Sequence, residues 1–178
     1  DCGALIPDLT GQVSWLDNCP GAAIVQSPAA GMAFAGSHND TQLITFTVTD
    51  AAGNSTVCST TLTLVDDEDP TIDCSAINGN RDTDPGVCTF TMPGIGFDPT
   101  FGDNCNATIS NDYNGLSSLA GASFDKGTTT VTWTATDDNN NTAQCTITII
   151  VSDNEEPIIN SCGPDVTVLT SSNGLEDC

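Results

Sequence analysis

The stretch TDAAGNSTVCSTTLTLVDDEDP, residues 49–70, decides the fold, because it returns as TDDNNNTAQCTITIIVSDNEEP at residues 136–157. The copies lie 87 positions apart without a gap, and eight of 22 positions are identical: Thr49, Asp50, Asn54, Cys58, Thr61, Asp66, Glu68 and Pro70. A self-match at fixed spacing is the signature of a repeat array. Each unit of about 87 residues has the size of a small β-sandwich. The phasing predicts a first repeat at 1–69 that lacks its N-terminal strand, a complete repeat at 70–156, and the opening strand and loop of a third at 157–178.

Working outward, the pattern is β. In TQLITFTVTD, Ile44, Phe46 and Val48 alternate with Thr45, Thr47 and Thr49, as in a half-buried strand with a Thr-rich outer face. In TTTVTWTATD, Val131, Trp133 and Ala135 take the same inward register. The polar links AAGN and DNNN lead into second strands at 58–64 and 145–151, which reads as a hairpin in each unit. Shorter strands are expected at 88–92 and 164–170, and no stretch has a helical period. The predicted fold is all-β, made of antiparallel sandwiches. The least similar parts of the two copies, 20–41 and 106–128, are Gly-, Ser- and Ala-rich, as loops and short strands are.

Arg81 and Lys126 are the only basic side chains against 24 acidic ones, a net charge of −22. Such a surface repels nucleic acid and anionic membranes, whose phosphates need Lys and Arg. The richest apolar stretch, 147–151, is interrupted by Thr148 and is far too short to span a bilayer. Clustered carboxylates instead call for solvation or for a cation, and Ca²⁺ is the cofactor expected.

Nine cysteines occur, at 2, 19, 58, 74, 88, 105, 145, 162 and 178. There is no CxxC pair and a single histidine, His38, so the set reads as disulfides of an oxidising compartment rather than zinc ligands. Repeat phasing predicts short loops closed by Cys74–Cys88 and Cys162–Cys178. It also predicts longer ones closed by Cys19–Cys58 and Cys105–Cys145, with Cys2 paired upstream. Closing a loop of about 40 residues stabilises by about 3–4 kcal/mol on the chain-entropy account.

The tripeptide DNC at 17–19 and 103–105, the strand GTTTVTWTATD at 127–137, the turn TDAAGNSTVC at 49–58 and the closing D-x-E-x-P cluster resemble the HYR (hyalin repeat) domain. The resemblance runs over the whole chain. It departs in the second turn, where Asn139 and Asn140, ahead of Asn141, stand in place of Ala52 and Gly53, ahead of Asn54, a change Asn accommodates because it tolerates left-handed backbone. The resemblance implies tandem immunoglobulin-like sandwiches, an extracellular or cell-surface location, and a role in adhesion or surface architecture. It implies no catalytic activity.

The acidic clusters fall where one sandwich hands over to the next: Asp66, Asp67 and Asp69 before Pro70, and Asp153, Glu155 and Glu156 before Pro157. With Asp50 and Asp137 of the hairpin turns, these are the candidate Ca²⁺ ligands; the alternative is a solvated acidic linker that discourages strand-edge association. Four sequons, at Asn39, Asn54, Asn106 and Asn140, offer glycan acceptors.

Enzymatic readings find little support. His38 has no counterpart in the second copy, and no nucleophile elbow is present. Trp133 reads as core; Trp15 is the better candidate for a sugar-stacking platform, although Phe101 in its slot favours packing. The expectation is a structural segment of a fibre or long adhesin, whose partners are neighbouring repeats or identical subunits. The alternative is a module that binds carbohydrate or protein, or an accessory repeat of a secreted enzyme.

Overall fold

The computed structural model describes residues 2–165. The segment expected as the first unit comprises β1 (Gly3–Leu5), a 3-10 turn at Thr10–Gln12, β2 (Ala23–Ser27), β3 (Ala33–Ala35), β4 (Thr41–Thr49) and β5 (Ser55–Thr63). The second comprises β6 (Thr71–Asp73), β7 (Asn80–Asp82), β8 (Thr89–Thr91), β9 (Thr100–Gly102), β10 (Ala107–Asn111), β11 (Ser123–Asp125), β12 (Gly127–Asp137) and β13 (Thr142–Ser152). No α-helix occurs among the described residues. The strand expected at 164–170 lies almost wholly outside them.

The hairpin repeats in register. Phe46 faces Cys58 across β4 and β5, and Trp133 faces Cys145 across β12 and β13. Of the residues the alternation marks, Ile44, Val131, Trp133 and Ala135 are fully buried and Phe46 nearly so, while Val48 is half-buried. In the second unit the sheet β10–β12–β13–β7 packs against the β8–β11 pair. Between them lie Trp133, Val131 and Ile149 on one side and Phe124, Phe97, Leu119 and Met92 on the other. Phe97 meets Phe124 edge-on at 5.7 Å between centroids, a favourable aromatic arrangement. The fold is thus all-β and sandwich-like. One pairing is not antiparallel: β7 runs parallel to β13, with Val151 opposite Arg81.

The disulfides correct the predicted pairing. Cys74 bonds to Cys145, and Cys2 bonds to Cys105. Neither Cys74–Cys88 nor Cys105–Cys145 forms, and Cys2 finds its partner downstream. Successive short strands here enter different layers: β6 packs on β13, whereas Cys88 leads into β8 of the opposite sheet. Cys74 is therefore carried to β13 and away from its neighbour in sequence. Cys19 and Cys58, expected as a pair, are both exposed thiols, as are Cys88 and Cys162. Cys178 lies outside the described residues. On the chain-entropy account, bridging 71 and 103 residues stabilises by about 4–5 kcal/mol each.

Candidate functional site

Two kinds of carboxylate emerge from the candidates. Asp50 and Asp137 are braces for their own turns. Oδ1 of Asp50 accepts the backbone N–H groups of Ala52 and Asn54 at 2.9 and 2.8 Å, and Oδ2 accepts the Asn54 amide at 2.8 Å. Asp137 repeats this with Asn139 and Asn141 at 2.9 and 2.7 Å, and with the Asn141 amide at 2.8 Å. The turns need one left-handed residue, supplied by Gly53 (φ 91°) and Asn140 (φ 70°), as the substitution pattern anticipates. The Asn54 side chain, followed by its backbone N–H, holds the Asp50 carboxyl below the usual range. Both Asp50 and Asp137 thus spend their oxygens on N–H donors.

Asp66 and Asp103 are different. The linker is pinned to the first unit by the Asp66 N–H, which donates to Nδ1 of His38 at 3.1 Å. The second unit reaches back: the Asn139 amide donates to the Asp66 carbonyl at 2.7 Å. Asp66 is only 3% exposed. Asp103, from the DNC loop after β9, accepts the Cys105 N–H on Oδ2 at 2.8 Å. Oxygens of Asp66 and Asp103 lie within 4.8 Å of each other and of the Cys105 sulfur. Oδ2 of Asp66 and Oδ1 of Asp103 are buried without any hydrogen-bond partner. The Cys105 sulfur is tied to Cys2 and offers no thiolate.

A buried carboxylate oxygen without a donor is costly unless a cation satisfies it. Only oxygens are on offer, the donor type of a hard cation such as Ca²⁺. Asp66 and Asp103 would supply two of the roughly six to eight oxygens that such an ion takes. Asp103 escaped the sequence reading; the recurrence of DNC as DNC, aspartate included, was its available signal.

The other candidates are not brought here. Asp67 and Asp69 are exposed beside the junction. Asp153 pairs with Lys126 at 3.2 Å, and the Glu155 N–H, then Lys126, hold its carboxyl below the usual range. Glu155 accepts the Gly86 N–H at 2.8 Å, and Glu156 is exposed. All four sequon asparagines are exposed. The amides of Asn54 and Asn106 donate to Asp50 and Asp138, whereas Asn39 and Asn140 sit at left-handed turn positions.

The HYR domain family model matches residues 65–151. Among solved structures, the fibronectin(III)-like modules of Clostridium thermocellum CbhA align over 83% of this chain and 88% of that one, at 12% identity and TM-score 0.34. PcdhgB3 EC1-4 aligns over 84% of this chain and 41% of that one, at 16% identity and TM-score 0.30. The stretch from the acidic linker to the end of the long hairpin, residues 65–151, is thus similar to the HYR domain and folds as an all-β, sandwich-like unit.

Proposed function

We propose that the chain is a structural segment of an extracellular fibre or long cell-surface adhesin, non-catalytic, built from HYR sandwiches in tandem at 1–69, 70–156 and onward from 157. The observation that carries this is the junction. The two units are tied by the Cys2–Cys105 disulfide and by the Asn139–Asp66 hydrogen bond, so the linker transmits orientation and load. Repetition of the hairpin register supports the tandem reading.

In this proposal Ca²⁺ is held by Asp66 and Asp103, where it neutralises the facing carboxylates and stiffens the junction. The protein's own part is to bury the pair and fix its spacing through the disulfide. Asn39 and Asn140 are the proposed glycan acceptors.

Small-angle scattering in excess Ca²⁺ and in chelator tests the reading, alongside the thermal midpoint. A rod that becomes more flexible and melts earlier on chelation is expected. An unchanged profile and midpoint would refute the metal clamp. A flexible, beads-on-string profile in both conditions would refute the load-bearing junction.

A further inference from the structure

Two Asn-Gly pairs fall within the described residues, Asn78-Gly79 and Asn114-Gly115. In such a pair the glycine nitrogen can attack the asparagine side-chain carbonyl, because no Cβ on the following residue crowds its approach. The attack needs a glycine N–H that is free to lose its proton. It also needs a donor for the side-chain oxygen as charge develops there, and a main chain able to close the ring.

Asn114 and its glycine are locked. The Gly115 N–H donates to the Asn111 carbonyl at 3.0 Å, so its proton is held. Nδ2 of Asn114 donates to the Ser118 carbonyl at 3.2 Å, which anchors the group that would have to leave. Oδ1 accepts Nδ2 of Asn111 and the Leu116 N–H, both at 2.9 Å. The whole turn must unwind before a ring can close.

Asn78 is the opposite case. It is exposed, just ahead of β7. The Gly79 N–H has no hydrogen-bond acceptor among the described residues, although the Gly79 carbonyl accepts the Ile150 N–H at 3.0 Å. Oδ1 of Asn78 accepts the Asn80 N–H at 3.0 Å. That donor is in place for the oxygen on which charge develops when a nitrogen attacks Cγ.

The nucleophile has its own support. The main-chain carbonyl of Asn78 accepts Nη1 of Arg81 at 2.8 Å, and it belongs to the same peptide group as the Gly79 nitrogen. When that nitrogen gives up its proton, negative charge spreads onto the carbonyl oxygen, where a guanidinium hydrogen bond stabilises it. Arg81 is one of two basic side chains in the chain, and its seat over the Phe97 and Phe90 rings keeps the guanidinium in position.

We propose that Asn78 is a site of self-catalysed deamidation, activated by Arg81 and the Asn80 N–H, and that its product loosens β7. The Gly79 nitrogen, its proton passed to water, bonds to Cγ of Asn78. The Cγ–Nδ2 bond breaks and ammonia leaves. Water then opens the succinimide: breaking the bond from nitrogen to Cγ gives aspartate, and breaking the bond to the main-chain carbonyl carbon gives isoaspartate. The net change consumes one water and releases one ammonia. Isoaspartate adds a methylene to the main chain where there is no room for it, since even a Cβ on Gly79 would collide with the Thr148 carbonyl. β7 begins at the next residue, parallel to β13. Either product also sets a new carboxylate beside Arg81, which competes with the aromatic rings for the guanidinium. The edge of β13 is thereby weakened as the protein ages.

This goes beyond the fibre reading and does not depend on it. The test ages the full-length oxidised chain in warm, mildly alkaline buffer. Both asparagines are followed by peptide mapping, with electron-transfer fragmentation to separate isoaspartate from aspartate. Conversion at Asn78 is expected to be at least about tenfold faster than at Asn114, the difference one lost hydrogen bond makes to a rate. In urea with the disulfides reduced, the two should convert at similar rates. Asn114 keeping pace in the folded chain, or Asn78 converting faster unfolded than folded, would overturn the proposal. Arg81→Met should slow Asn78 about tenfold, as expected for loss of a charge-assisted hydrogen bond, and Arg81→Lys should fall between. An unchanged or faster rate would overturn the activation, and if Arg81→Met loses the Cys74–Cys145 bond, Arg81→Lys gives the same reading. Hydrogen exchange at Ile150 should rise in step with conversion; an Ile150 amide still protected in converted protein would overturn the loosening of β7.

Discussion

Asp66 of the acidic linker and Asp103 of the DNC loop bring carboxylate oxygens within 4.8 Å of each other, next to the bond between Cys2 and Cys105. Each keeps one buried oxygen without a donor. Asp66→Asn removes one charge and supplies an amide donor. In chelator the variant should be more stable by about 1–2 kcal/mol, since like-charge repulsion and an unsatisfied acceptor are both relieved. In Ca²⁺ it should gain nothing further, so the difference between the two melting curves closes. Circular dichroism melts of the two proteins in both buffers check this.

Acid should act in two stages. Asp50, Asp73 and Asp153 have carboxyls held below the usual range, Asp50 by Asn54, Asp73 by the Ser75 N–H, and Asp153 by the Glu155 N–H and Lys126. A lowered folded pKa means stability present above the unfolded pKa and lost as pH falls through the folded one. Between neutrality and about pH 5, partial relief of self-repulsion in a chain of net charge −22 works the other way. The urea midpoint is therefore expected to rise on mild acidification and to fall below about pH 4, where ordinary carboxylates protonate. Asp50→Asn should flatten the acid limb.

Arg81 lies over the Phe97 ring at 4.7 Å and the Phe90 ring at 5.8 Å. Its guanidinium also donates to the carbonyls of Asn78 and Asn80 at 2.8 and 2.6 Å. Arg81→Met keeps much of the packing and loses the charge over the rings. A cost of about 1–2 kcal/mol is expected, read as a lowered denaturant midpoint of the second unit with its disulfides intact.

The parallel strand depends on a glycine. A Cβ on Gly79 would sit 2.0 Å from the Thr148 carbonyl oxygen, and the Gly79 carbonyl accepts the Ile150 N–H at 3.0 Å. Gly79→Ala must push β7 off β13, at about 1–3 kcal/mol. Hydrogen exchange should accelerate at Ile150 first, with the β12 side of the hairpin still protected.

What was legible in the sequence is what alternation and repetition encode. Phe46 and Trp133 lie inward at one register, and Asn140 takes the left-handed place of Gly53. Short strands carry too few residues for a period, so Asn80–Asp82 gave no sign of its parallel pairing. The disulfides were misread because sequence distance stood in for spatial distance. Cys74 and Cys88 are near in sequence yet enter opposite layers, while Cys2 reaches Cys105 across a unit boundary that phasing treats as a wall. Asp103 was missed for a related reason, since its neighbour Asp66 comes from the acidic linker, far from it in sequence.

Disulfide mapping of the unreduced protein decides whether the segment before Pro70 is covalently joined to the HYR-like stretch. Peptides linking Cys2 to Cys105 and Cys74 to Cys145 are expected. Recovery of Cys105 linked to Cys145, with Cys74 linked to Cys88, would contradict this, leaving units closed upon themselves and joined only by a linker.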